Sequence, residues 1–237
     1  MNVSVSNVAG KIGRTGLLLH AWISYIVNSG NGMGALRDFR IWILTTFFPV
    51  SMNRLDVFWV SLPCIRWLER YLRPDMKVFE WGSGASTVYF AKRVERVVSV
   101  EHDGNWYRKT GKTMSVSGIR NVRRIYRPLN VENPKADGMV LSRTLCRSYA
   151  GAIKSFPDGY FDVILVDGKG RVECMSLARK KVKRGGIVIL DDAERSQYRP
   201  GISLYRGKSW KARRFDGPSP CGIWPVFGRT TVFLRKA

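Results

Sequence analysis

The sequence predicts an α/β fold: a doubly wound, mostly parallel sheet that ends in an antiparallel hairpin and is preceded by an N-terminal helical extension. Three observations predict it. Short, continuous apolar runs alternate with helix-like segments, as they do where parallel strands are buried on both faces. A glycine-rich turn, Gly82-Ser83-Gly84, joins the first of those runs to the helix after it. Four of the runs close on acids, at Glu80, Glu101, Asp167 and Asp191-Asp192, and the carboxyl ends of strands are where a sheet of this kind gathers its ligand. A chain of 237 residues suffices for one such domain with a full core, here residues 61–237, and leaves residues 1–60 as the extension.

In the extension, Gly16 to Val27 and Ile41 to Val50 are apolar runs, the first broken by His20 and the pair separated by Asp38 and Arg40. Neither reaches the roughly eighteen uninterrupted apolar residues of a membrane span, and no cleavage-site pattern of a secretory leader follows. The extension is expected to be a helical cap over the cleft or a dimer contact. The other reading is an in-plane membrane segment, with Trp22, Tyr25, Trp42, Phe47 and Phe48 beside Arg37 and Arg40. Pro63 suits the first turn of a helix running to Leu72, and Pro74-Asp75 stops it. Lys77 to Trp81 is the first strand, Ala85 to Val94 a helix, Arg96 to Val100 the second strand, Gly104 to Ser115 a helix and Asn121 to Tyr126 the third strand. Arg127 to Gly138, with Pro128 and Pro134, is a loop, and Met139 to Phe156 a helix. Phe161 to Val166 is a central strand. Arg171 to Lys183 is a helix with Val172, Met175, Ala178 and Val182 inward, and Gly185-Gly186 turns the chain into the strand Ile187 to Leu190. Trp210 to Phe215 and Thr230 to Arg235 form the terminal pair, joined by a loop rich in proline and glycine.

Gly82 and Gly84 allow the backbone to turn sharply and approach a ligand, and the helix start after them presents unpaired N–H groups. Glu101 stands about twenty residues past the turn, where a strand-end carboxylate takes the ribose hydroxyls of a nucleoside-containing cofactor. Two details argue against a dinucleotide. Thr87 stands where that pattern wants a third glycine, and Glu80, two residues before Gly82, would repel a diphosphate but can meet a cation.

On Val78-Phe79-Glu80-Trp81-Gly82-Ser83-Gly84-Ala85-Ser86-Thr87 and Val98-Ser99-Val100-Glu101-His102-Asp103, the chain resembles the class I S-adenosylmethionine-dependent methyltransferases. Their first motif is an acid, any residue, Gly, any residue, Gly. The resemblance runs from Lys77 to Arg235 and leaves the extension out. It implies the Rossmann-like form of the fold and S-adenosylmethionine as cofactor. Glu80, Gly82, Ser83, Gly84 and Thr87 would surround its methionine part, with Trp81 and Ser86 in the same cofactor-binding turn. Glu101 would hold the ribose, His102 would lie near the adenine, and Asp167 would touch both cofactor and acceptor.

Asp167-Gly168-Lys169-Gly170 lacks the Asn/Asp-Pro-Pro-aromatic motif of enzymes that methylate base amino groups. The one Pro-Cys pair, Pro220-Cys221, lies far from the fourth strand, where enzymes acting on carbon 5 of cytosine keep their nucleophile. Asp167, Asp191 and Asp192 instead resemble the acids of metal-dependent O-methyltransferases. That resemblance implies Asp167 and Asp191 as catalytic residues and all three as ligands of Mg2+, a hard ion suited to carboxylates that lowers the pKa of a bound hydroxyl. The other reading has Asp191-Asp192 capping the turn at Glu194-Arg195, with Asp167 acting without metal. A less characterised bacterial group, similar in Val-Asp-Gly-x-x-Arg and Leu-Asp-Asp-x-x-Arg, occurs among glycan and cell-surface functions, and Arg171, Arg195 and Tyr198 are the candidate substrate contacts. The expected reaction is O-methylation of a small hydroxylated molecule, sugar or glycan.

Forty basic residues against eighteen acidic ones give a net charge of +22, a field that attracts RNA or an anionic membrane surface. From Arg195 to Ala237 ten basic residues face one acid, Asp216, interleaved with Tyr198, Tyr205, Trp210, Phe215 and Trp224, the footprint of a single-strand binder. An RNA methyltransferase and a non-catalytic binding module are therefore the alternatives. Cys64, Cys146, Cys174 and Cys221 are scattered, without a CxxC pair, which fits a reducing, cytoplasmic setting, with peripheral membrane association as a variant. Two histidines exclude a histidine-rich metal centre.

Overall fold

In the computed structural model, which describes residues 18–48, 50–129, 143–220 and 227–237, the apolar runs become the inner strands of one seven-stranded sheet. Strands β1 (Lys77–Trp81), β2 (Arg96–Glu101), β3 (Val122–Tyr126), β4 (Phe161–Val166) and β5 (Val182–Leu190) are parallel. The terminal hairpin, β6 (Trp210–Pro218) and β7 (Phe227–Arg235), runs against them, with β7 paired to β5. The order is β3-β2-β1-β4-β5-β7-β6. The chain winds outward from β1 to β3 and then returns to the other side of β1, so the crevice opens where β1 and β4 end.

The helices are α1 (18–28), α2 (Gly32–Phe47), α3 (Met52–Leu55), α4 (Leu62–Tyr71), α5 (Ala85–Ala91), α6 (Gly104–Val116), α7 (Arg143–Gly151), α8 (Arg171–Lys181) and α9 (Arg199–Ser203). The period of two along each strand splits the core into two layers. Val78, Val163, Leu165, Ile187 and Ile189 pack with Leu62, Ile65 and Leu68 of α4 and with Tyr89 and Phe90 of α5. Phe79, Trp81, Ile164, Val166, Val188 and Leu190 pack with Tyr149 of α7 and with Cys174, Met175 and Ala178 of α8.

The extension is anchored to this body. Trp22 of α1 packs on Phe39, Trp42 and Phe227, with ring centres 4.9, 5.2 and 5.3 Å away. Buried Asp38 of α2 accepts hydrogen bonds from the Tyr25 hydroxyl and the Arg66 guanidinium. Ile41, Val57, Phe58 and Val60 join the layer under α4 and α5. No helix among the described residues is long and apolar enough to cross a membrane.

Several boundaries differ from expectation. The helix expected to run to Lys183 ends at Lys181, and β5 starts at Val182, so Gly185-Gly186 lies inside the strand instead of before it. The cause is a register shift: Phe161 pairs with Val182 but Val163 with Ile187. The surplus residues are accommodated by Gly185 at φ +75° and by an ion pair of 2.9 Å from Lys183 to Asp162. Helix α5 stops at Ala91, not Val94. The hairpin strands extend to Pro218 and back to Phe227. In place of one helix from Met139 to Phe156, α7 is followed by a 3-10 turn, Ala152–Ser155. Residues 130–142 and 221–226, which include most of the expected loop, the start of that helix, Cys221 and Trp224, lie outside the described residues.

Candidate active site

The turn after β1 exists because residues on three strands approach one another there. Gly82 has φ +98°, and a Cβ on it would lie 3.0 Å from the Asp167 carbonyl oxygen, so neither the dihedral nor the spacing admits another residue. The Thr87 hydroxyl donates to Glu80 Oε1 and accepts from the Gly84 N–H at 3.0 Å. Ser83 and Ser99 share a hydroxyl hydrogen bond of 2.6 Å. The indole N–H of Trp106 donates to the Ser83 carbonyl.

Glu101 closes the turn from β2. Its Oε2 accepts from the Ser83 N–H at 2.9 Å, and its Oε1 from the His102 and Asp103 N–H groups at 2.7 and 2.9 Å. Burial alone would push this carboxyl up. The His102 imidazole, 2.8 Å from Oε1, and the backbone bonds from Asp103 and Ser83 outweigh it, and the pKa is lowered. Glu101 is thus held charged at neutral pH, with acceptor capacity left for hydroxyl groups. Glu80 shows the reverse. Fully buried beneath the turn, its carboxyl is raised to about 7 by burial, against the hydroxyls of Ser99, Thr87 and Ser86.

On the other side of the crevice, carboxylate oxygens of Asp167, Asp191 and Asp192 lie within 4.8 Å of one another. Arg171, the first residue of α8, reaches back into this group. Its Nη2 is 2.9 Å from Asp167 Oδ1 and 3.1 Å from Asp192 Oδ2. Its Nη1 donates to the Asp191 carbonyl at 2.6 Å and its Nε to the Gly168 carbonyl at 3.0 Å. The Tyr198 ring lies 5.2 Å from the guanidinium, and Arg195 pairs with Asp192 at 3.1 Å. Asp191 Oδ1 accepts from the Thr230 hydroxyl at 2.7 Å, which in turn accepts from the Ser61 N–H at 2.9 Å. Burial, then the charge of Asp192, raises Asp167 to about 7 against Arg171 and Arg195. Burial and the charges of Asp167 and Asp192 push Asp191 well up. Carboxyls that titrate near neutrality can take up a proton during a reaction.

The expected residues separate into two ranks. Gly82, Gly84, His102 and Asp167 are partly open, while Glu80, Trp81, Ser83, Ser86, Thr87 and Glu101 are buried around them. Arg171, Arg195 and Tyr198 do converge on the acids, with Arg171 turned inward. Three contributors were missed. Tyr149 of α7 is fully buried, its hydroxyl has no hydrogen-bond partner among the described residues, and a Cβ on Gly168 would stand 2.0 Å from it. Its ring meets His102 edge-on at 5.6 Å, and its carbonyl accepts from the Trp81 indole at 3.2 Å. Trp106 and Thr230 are the others. A signal for Trp106 exists in the sequence: Asp103 caps α6 and accepts from the Trp106 N–H at 2.8 Å, and an Asp three residues before an aromatic is a readable helix start. Tyr149 and Thr230 carry no local signal.

No family model and no curated protein matches the sequence. Solved structures do. An rRNA methylase from Streptococcus thermophilus aligns at a TM-score of 0.54 and 11% identity, over 74% of this chain and 95% of that one. SMU.1697c from Streptococcus mutans, in complex with SAH, aligns at 0.52 and 9% identity over 72% and 97%. A methyltransferase from Geobacter sulfurreducens aligns at 0.51 and 15% over 74% and 78%. At such identities the likeness establishes architecture: this chain has the doubly wound, Rossmann-like fold of solved methyltransferases, with a mostly parallel sheet and an antiparallel terminal hairpin.

Proposed function

We propose that the chain is a class I S-adenosylmethionine-dependent methyltransferase that methylates a hydroxyl of a sugar, glycan or other hydroxylated small molecule. One observation carries this reading: Glu101, held charged by the His102 side chain and by backbone N–H groups, and Asp167, raised to about 7, flank one glycine turn at the carboxyl ends of the strands. The residues fit a group with hydroxyls at one end and positive charge at the other. Glu101 would take the ribose hydroxyls and the Asp167 carboxyl would meet the positive end, while Glu80, fully buried, holds the turn through the Thr87 hydroxyl. The cofactor supplies a methyl group on a sulfonium. With that group bound, the Asp167 carboxylate would take the proton of the acceptor hydroxyl, and in-line positioning would carry much of the rate. Arg195 and Tyr198 remain to hold the acceptor.

We read the three aspartates as working without Mg2+. Their spacing suits an ion, but the cation position is taken by Arg171, which binds Asp167 and Asp192, while Asp191 takes the Thr230 hydroxyl. A cytoplasmic setting belongs to the same proposal. Calorimetric titration of S-adenosylhomocysteine, with Mg2+ and again with EDTA, should give micromolar binding unchanged between the two. Absence of binding would leave a non-catalytic module. A large loss on EDTA treatment would return the aspartates to a metal.

An RNA acceptor is the second reading, favoured by Lys211, Arg213 and Arg214, exposed on the edge strand β6. Tyr205 and Phe215, however, are buried and offer no face for base stacking. Methyl transfer to RNA at physiological salt would replace the sugar reading.

A further inference from the structure

The helical extension keeps one face of each long helix for the body and leaves another bare. On α1 the bare face is Leu19, Ile23 and Val27, spaced i, i+4, i+8, within an arc of about 80°. On α2, Met33, Leu36, Arg37, Arg40, Leu44 and Phe47 share an arc of about 100°, continued by Phe48. Among these, Leu19, Ile23, Val27, Met33, Leu36, Phe47 and Phe48 are 53–85% exposed. Water gains nothing from such a surface, since its apolar area is buried only when something covers it.

We infer that this face docks on an anionic lipid bilayer and lies in the interface without crossing it. Two arguments select that occupant. Arg40 stands exposed within the apolar stripe of α2, beside Arg37, which is paired with Glu69 of α4; Lys11 and Arg14 precede α1 in the sequence, and the whole chain carries +22. Apolar side chains interspersed with basic ones are what an interfacial helix presents to negative headgroups. The same +22 opposes a second copy, because two such chains repel, and RNA has no use for an aliphatic stripe. Buried anchors outside these stripes, Trp22 on α1 and Asp38 and Trp42 on α2, hold both helices to the body, so docking requires no unfolding.

Co-sedimentation of the full chain with vesicles tests this, comparing phosphatidylcholine alone with phosphatidylcholine containing one-third phosphatidylglycerol. The chain should pellet with the anionic vesicles at physiological salt and remain in solution with the neutral ones. The combined variant Ile23→Gln, Val27→Gln, Leu36→Gln should partition at least about tenfold less, with an unchanged melting temperature because all three side chains face solvent. A chain that ignores anionic vesicles, or a variant that pellets like the natural protein, overturns the inference. Self-association that the variant abolishes would assign the face to a second copy, and RNA affinity that the variant abolishes would assign it to RNA; either result overturns it too.

Discussion

Glu101 and Glu80 end adjacent strands within one turn, yet burial acts on them with opposite results. The His102 side chain, 2.8 Å away, and backbone N–H groups converge on Glu101 and keep it ionised. Glu80 has hydroxyls but no cation, and its carboxyl rises from 4.5 to about 7. Glu101→Gln retains the shape but loses the charge, and should weaken S-adenosylhomocysteine about 10- to 100-fold by calorimetry. For Glu80 the folded chain binds its proton more tightly than the unfolded chain. The contribution of Glu80 to stability without cofactor is therefore greatest at low pH and falls as pH rises from about 4.5 to about 7. The decline is on the order of 3 kcal/mol, one pKa unit being about 1.4. Glu80→Gln should flatten this part of the curve of melting temperature against pH; a curve that keeps its slope would remove Glu80 as the cause. For Asp167, the same direction of shift predicts that methyl transfer increases with pH through about 7 and that Asp167→Asn abolishes that dependence.

At the scale of elements, Arg171 joins the ends of β4 and β5 to the first turn of α8. The repeated spacing Asp167-x-x-x-Arg171 on one side and Asp191-Asp192-x-x-Arg195 on the other is a cross-brace, in which Arg171 joins Asp167 to Asp192 and Arg195 holds Asp192 from the other side. Arg171→Ala leaves the acids facing one another without their principal cation. It should cost about 3–5 kcal/mol at pH 8, and less at pH 5, where the raised carboxyls carry protons. If Arg171 occupies the place of an ion, Mg2+ should raise the melting temperature of this variant and leave the natural protein unaffected. Thr230 links the hairpin to both Asp191 and the start of α4. Thr230→Val strands a buried N–H and a buried carboxylate oxygen, each worth about 1–3 kcal/mol in thermal or denaturant unfolding.

Over the whole molecule the charge is distributed with a purpose that the sequence alone leaves ambiguous. Lys211, Arg213 and Arg214 line β6, which is the outer strand, and charges there prevent edge-to-edge pairing. Tyr205 and Phe215 turn to the core. RNA affinity measured by fluorescence anisotropy should therefore follow a steep salt dependence and disappear by physiological ionic strength. Affinity that persists there would restore RNA as a partner.

The strands, their parallel order of winding, the turn and the four strand-end acids were legible in the sequence because each is a local pattern: an apolar run, a glycine pair, an acid at a fixed offset. The same holds for Arg171 and Arg195, each four residues past an acid, Asp167 and Asp191. The break in β5 was not, since Gly185-Gly186 reads as a turn unless the register of Phe161 and Val163 is known. Tyr149 and Thr230 come from a helix and a hairpin distant in sequence, and only packing points them at the crevice. The sequence by itself determined which chemical groups end the strands and what fold presents them. Only the tertiary structure decided that a guanidinium stands among the aspartates, which of two buried glutamates keeps its charge, and which side of the extension is bare. Those are outcomes of distance and solvent exclusion between remote segments, and no local pattern encodes them.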